Sequence, residues 1–227
     1  MKKLIALVAT GILATSLVCA QISVGAKGTV DFNLGTTFGE KAKETAKTEA
    51  ELYGAEVSYP VMVGGGGSIF AGYQLPMLPA LGFRLELGIL ANNGITTKMK
   101  IGENEGKTTF SYTSLELPII TSYDVALGPV VLTPYLGPNF SIALGKQKTT
   151  QTKNDNKEEL PETEFESPFS MGLVAGLEIG IPVGPGSVIA DLRYINDFME
   201  LRPKNAPEGF GATRRALAIS AGYKMTF

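Results

Sequence analysis

Any acid–base chemistry in this chain must do without histidine, since its 227 residues include none. That excludes Ser-His and Asp-His hydrolytic sites and metal sites that use imidazole. The charges that remain stand at alternating positions inside apolar runs. Lys27 precedes Asp31 by four residues, Arg84 precedes Glu86 by two, and Asp191 precedes Arg193 by two. Glu116, Asp124, Glu178 and Lys224 stand in similar runs. Even spacings put charges on one face of a β-strand, opposite its apolar face. Two further signals are weaker. Asp155, Glu158, Glu159, Glu162, Glu164 and Glu166 could hold calcium loosely, but no Asp-x-Asp-x-Asp-Gly loop accompanies them. A solvated acidic loop accounts for them better. The glycine run 64–67 lacks the Gly-Lys-Ser/Thr of a phosphate-binding loop and lies within a strand pattern. It reads as a strong bend or a close interior approach. No cofactor, metal or catalytic residue is expected.

The elements that would hold the charges are strands of period two. Residues 22–34 carry Ile22, Val24, Ala26, Val30, Phe32 and Leu34 on one face, with Lys27 and Asp31 on the other. The same alternation recurs over 59–75, from Phe83 onward, over 114–125, 131–144, 169–181 and 188–194, and over 215–227. Tight connections are expected at 76–82, 128–129 and 182–186, and long polar ones at 36–58, 92–108, 146–168 and 197–213. Residues 40–51 are rich in Ala, Lys and Glu and predict a short helix within the first long connection. Beyond residue 92 the third strand should leave the wall as an extended hairpin with its tip at 102–106. Pro118, Pro134 and Pro138 must each fall at a bulge or a missing ladder bond. A soluble barrel is apolar inside, whereas a membrane barrel is apolar outside and polar inside. The pattern predicts an all-β fold, a transmembrane up-and-down antiparallel β-barrel of about eight strands. Lys27, Asp31, Arg84, Glu86, Glu116, Asp124, Glu178, Asp191, Arg193 and Lys224 would form a charge network in its lumen. Between neighbouring strands the expected pairs are Arg193 with Glu178, and Arg84 with Glu116 or Asp124.

The chain ends on Leu217, Ile219, Ala221, Tyr223, Met225 and Phe227, alternating with small or polar residues. Ser220, Gly222, Met225 and the terminal Phe227 resemble the C-terminal signal of bacterial outer-membrane β-barrel proteins. The run Leu115-Glu116-Leu117-Pro118-Ile119-Ile120 with Tyr123, and Pro134-Tyr135-Leu136-Gly137 further on, is similar to the small PorT-like barrels of that class. The resemblance covers most of the chain after residue 20 and extends to small eight-stranded OmpA- and OmpX-like domains. It implies an outer-membrane location, outer-membrane lipids as neighbours, and partnership with periplasmic chaperones and the barrel-assembly machinery, which reads the C-terminal signal. It also implies no enzyme, because enzymes of this barrel class look to histidine for their base.

The N-terminus fits that address. Lys2 and Lys3 precede an apolar stretch over 4–18, and Val18-Cys19-Ala20 offers a cleavage site, so residues 1–20 read as a secretory signal and 21–227 as the barrel. Lipidation at Cys19 is the weaker alternative. Losing two basic residues with the signal leaves a net charge of −4, against a nucleic-acid partner.

The function expected is non-enzymatic: a structural or surface-interaction barrel, monomeric, with an unidentified ligand meeting its external loops. Two alternatives stand beside it, a narrow channel for small solutes and a soluble, lipocalin-like periplasmic ligand-binding barrel. The second requires an apolar inner face, which the charged rows oppose. The C-terminal reading makes a direct prediction. Deleting Phe227 should lower the folded fraction in outer membranes and raise periplasmic degradation, measured by heat-modifiable gel migration. Unchanged folded protein would count against an assembly role.

Overall fold

Period-two sequence produces period-two structure. The computed structural model describes residues 21–227 apart from 35–36, 39–47, 49, 51, 53, 103, 154–155, 205 and 207–210. Eight antiparallel strands form its wall: β1 (Ile22–Asn33), β2 (Met62–Leu75), β3 (Leu78–Ile101), β4 (Asn104–Tyr123), β5 (Val130–Lys153), β6 (Phe169–Val183), β7 (Gly186–Asp197) and β8 (Arg215–Thr226). Each pairs with its neighbours in sequence. The ring closes where β1 meets β8, in register from Ser23 opposite Thr226 to Asn33 opposite Ala216. Phe227 extends the seam, its amide donating to the Ile22 carbonyl at 2.8 Å.

The faces divide as the alternation predicts. Val24, Val30, Leu85, Leu87, Ile142, Leu173, Leu192 and Ile219 are exposed, while Lys27, Asp31, Glu86, Glu178, Asp191 and Arg193 are buried. The glycine run 64–67 is a close approach and not a bend. It keeps unbroken register against β1 and lets β2 and β3 touch. A Cβ on Gly66 would run into the Ile89 carbonyl oxygen, whereas one on Gly28 would meet open space.

Pro118, Pro134 and Pro138, the three prolines that the sequence singles out, each fall where a ladder step is missing on one side. The β3–β4 ladder omits Glu86 opposite Pro118, and the β4–β5 ladder omits Ile119 opposite Pro138 and Tyr123 opposite Pro134. An imide nitrogen cannot donate, so the wall drops the step and keeps the register.

The turns are tighter than the sequence suggests. Pro76 and Met77 alone connect β2 to β3, which begins at Leu78 and not at Phe83. Gly184 and Pro185 alone connect β6 to β7. Gly128 and Gly184 open their turns at φ of 64° and 61°, a conformation that glycine adopts freely. The fourth strand breaks at Asp124, and a separate strand Val125–Leu127 completes it against β5.

Two of the expected long loops are not loops. Above the bulge, β3 and β4 pair without a break from Asn93 opposite Tyr112 to Ile101 opposite Asn104, as the extended-hairpin reading anticipated, but Glu105 and Gly106 are paired, so the tip is shorter than 102–106. The segment 146–168, read as an irregular polar loop, is also a hairpin, in which β5 runs to Lys153 and returns as a strand, Asn156–Ser167. The hairpins pair with each other from Gly106 opposite Lys153 to Ser111 opposite Lys148. Threonine explains this. Thr109 opposite Thr150 and Thr96 opposite Thr109 are β-branched cross-strand pairs that suit a pleated surface. Glu56–Ser58 adds beside β3, and Arg202–Pro203 beside the returning strand. Within the helix expected over 40–51, Thr48 and Ala50 are helical and the other residues lie outside those described.

The wall ends at a level marked by irregularity. β3 bulges between Leu90 and Asn93, the β4–β5 register shifts between Ser111 and Thr113, and Asn92 and Gly145 take positive φ. Below this level the outward row is Leu85, Leu87 and Ile89; above it, the same side carries Thr96, Lys98 and Lys100. The inward side changes oppositely, from Glu86 and Glu116 to Ile95 and Phe110. The packing predicts that Gly66→Ala lowers the urea midpoint of the folded barrel in detergent, at a cost of about 1–3 kcal/mol. Gly28→Ala should leave it unchanged, and equal midpoints for the two would contradict the close-approach reading.

Candidate functional site

The lumen is filled by two ionic clusters. In the lower one, Lys27 of β1 lies 2.8 Å from both Glu86 of β3 and Asp191 of β7. Arg193 of β7 reaches Glu86 at 3.0 Å and Asp191 at 2.8 Å. Arg84 of β3 contacts Glu86 at 3.0 Å and forms a short pair with Glu178 of β6, which also meets Lys224 of β8 at 3.2 Å. Tyr135 of β5 donates its hydroxyl to Asp191. Its ring lies 5.3 Å from the Arg84 guanidinium and 5.6 Å from that of Arg193. Flat guanidinium groups stack on the ring face while their edges serve carboxylates.

The upper cluster centres on Arg214, immediately before β8. Its guanidinium reaches Asp31 at 3.1 Å and Glu116 at 3.0 Å. Glu116 also accepts from Ser114 at 2.6 Å and Asn139 at 3.0 Å, and Asn93 donates to Ser114 at 2.6 Å. Between the clusters lies a cavity of only about 30 Å³, lined by Ser68, Glu86, Glu116, Asn139 and Arg193 among others. That is room for about one water.

Nine of the ten expected lumen charges therefore join ion pairs, but the partners differ from those expected. Arg193 does not meet Glu178; it meets Glu86 and Asp191. Arg84 meets Glu86 and Glu178, and neither Glu116 nor Asp124. Asp124 lies at the other mouth, accepting from Gln74 and from Thr133 at 2.7 Å, both neutral donors. Adjacency along the ring is a poor guide because an eight-stranded lumen is narrow enough for side chains to cross it. Arg214 is absent from the expected network, because it lies between the expected loop 197–213 and the strand pattern 215–227. Its signal was legible: the inward row Ser220, Ala218, Ala216 continues one step back to it.

The proposed C-terminal signal residues occupy distinct environments. Ser220 is buried, its hydroxyl 2.8 Å from that of Thr29. Gly222 lies against Lys27, where a Cβ would strike the Ala26 carbonyl. Met225 and Phe227 are exposed on the outer wall. A concavity of about 660 Å³ lies outside the lumen, as an apolar trough lined by Val24, Ala26, Ile69, Ala71, Leu85 and Tyr223 among others. It offers hydrocarbon contact and no acid–base chemistry.

The upper cluster predicts a non-additive stability pattern. Arg214→Met should cost about 3–5 kcal/mol by stranding two buried carboxylates. Adding Asp31→Asn and Glu116→Gln should recover much of that in urea titrations. A triple variant less stable than the single one would refute the pairing.

Comparison with known proteins agrees with this architecture. The family described as outer membrane protein beta-barrel domain matches residues 20–200. A major outer membrane protein from Thermus thermophilus is 16% identical, with 92% of this chain and 99% of that one covered and a TM-score of 0.53, and it shares the fold. Neisserial surface protein A is also 16% identical over 92% of this chain and 97% of its own, at a TM-score of 0.39. The N-terminal β-barrel domain of Pseudomonas aeruginosa OprF is 11% identical, covering 90% and 97%, at 0.35. No curated protein sequence matches significantly.

Proposed function

Since the chain belongs to the outer membrane protein beta-barrel domain family, we propose that it is a non-enzymatic scaffold of that membrane, closed to solutes, which presents its paired hairpins for surface interaction. The observation that carries this reading is the pairing inside the lumen. Lys27, Arg84, Arg193 and Arg214 are each bound to two carboxylates and buried, so they brace the wall and do not line a water-filled path. A chain without histidine lacks the side chain that most often serves as a general base near neutral pH, which supports the non-enzymatic part. In this reading the signal at residues 1–20 is removed on export, chaperones and the assembly machinery receive the C-terminal strand, and the tight turns face the periplasm. The long hairpins then stand outside, as loops do in such barrels. Rigid paired hairpins present a fixed surface, which favours recognition over passive spacing.

Planar-bilayer recording on the purified barrel tests the closed wall. The expected record has no steady conductance steps. Regular porin-sized steps would overturn the scaffold reading in favour of the solute channel.

A further inference from the structure

The outward side of the hairpin sheet carries a feature that the scaffold reading does not use. Residues that face each other across an antiparallel pair point the same way. Ser111 opposite Lys148, and Lys107 opposite both Lys98 and Thr152, therefore continue the outward side of the wall. Lys98, Lys107 and Lys157 fall in one cross-strand row, with Lys148 lower down. At the foot of this face, where β3 bulges and β5 turns at Gly145, is a cavity of about 350 Å³. Its polar lining includes Asn92, Ser111, Thr113, Lys146 and Lys148, with Glu162 as the one acid among the described residues. Leu144, the last apolar outward residue of β5, forms its lower edge.

We infer that this cavity holds the phosphate of a lipid headgroup from the leaflet around the hairpin end, with Lys146 and Lys148 as its cationic ligands. Three observations agree on one occupant. The cavity sits where the outward face changes from leucine to lysine and threonine, the depth at which lipid headgroups lie against a barrel. Its described lining carries two lysines against one carboxylate. Its lysines are weakly engaged, since Lys146–Glu164 and Lys148–Glu162 are both 4.0 Å apart with half or more of each side chain exposed. Exposed pairs of that length contribute little, so the ammonium groups are available to an anion. Hydroxyls from Ser111 and Thr113 add neutral donors, beside the Asn92 side-chain amide that donates to the Val63 carbonyl at 2.7 Å. Acyl chains would then run down the apolar wall beside Leu144 and Ile142.

Native mass spectrometry of the folded barrel in neutral detergent tests this, with diphosphorylated lipid A as the probe and phosphatidylcholine as the zwitterionic control. The inference rests on the membrane-barrel reading but not on which way the hairpins face or on a closed lumen, because binding in detergent depends on neither. Lys146→Ala with Lys148→Ala should weaken lipid A binding about tenfold or more. Glu162→Gln, which removes the competing carboxylate, should strengthen it. Neither change should alter phosphatidylcholine binding. Equal lipid A binding by wild type and the double lysine variant would overturn the assignment, as would an unmoved Glu162→Gln protein. Displacement of lipid A by equimolar inorganic phosphate would mean that the site reads a free anion and not a headgroup.

Discussion

Hydrocarbon offers no partner to a peptide N–H or C=O, so a sheet in a membrane must close on itself. The β1–β8 seam meets that requirement, and much else follows from it. Closure at eight strands sets a narrow lumen. Lipid outside demands an apolar outer row, and period two then assigns every other residue to the interior. There polar and charged groups can be tolerated only if they satisfy one another.

The two ionic clusters are that satisfaction. Lys27, Arg84 and Arg193 share Glu86, Glu178 and Asp191, while Arg214 serves Asp31 and Glu116. Each cation bridges carboxylates from different strands, so the contacts tie opposite sides of the ring together. Glycine completes the fit. Gly66 lets β3 approach β2, and Gly222 makes room for Lys27. The sheet above the rim obeys the reverse rule, with Ile95 inward and Lys98 outward, because water replaces lipid there.

Much of this was legible in the chain. Alternation located the eight wall strands, and Pro118, Pro134 and Pro138 announced their missing ladder steps. Pairing across the lumen was not legible, because the stagger of a tilted barrel brings together residues that adjacency keeps apart. Thus Lys27 meets Asp191 and Glu86 on two different strands, and Arg84 crosses to Glu178. Arg214 escaped notice for a different reason. It precedes the apolar run, and only projecting the inward row backward reveals it. The 146–168 hairpin was hidden because composition there resembles a loop. Cross-strand register, a non-local property, turns threonines and charges into a ladder.

On the proposed scaffold reading, the lumen is sealed by its own ion pairs. The most direct test is the reactivity of a thiol placed inside it. Ser141 is inward-facing and buried, and Thr152 lies on the outer face of the hairpin sheet. Ser141→Cys and Thr152→Cys variants, each with its new thiol as the sole cysteine once residues 1–20 are removed, would be treated as folded barrels with a charged thiol reagent, and labelling rates measured. The account predicts prompt labelling at position 152 and none at 141 until the barrel is unfolded. Comparable rates at both positions in the folded protein would contradict it.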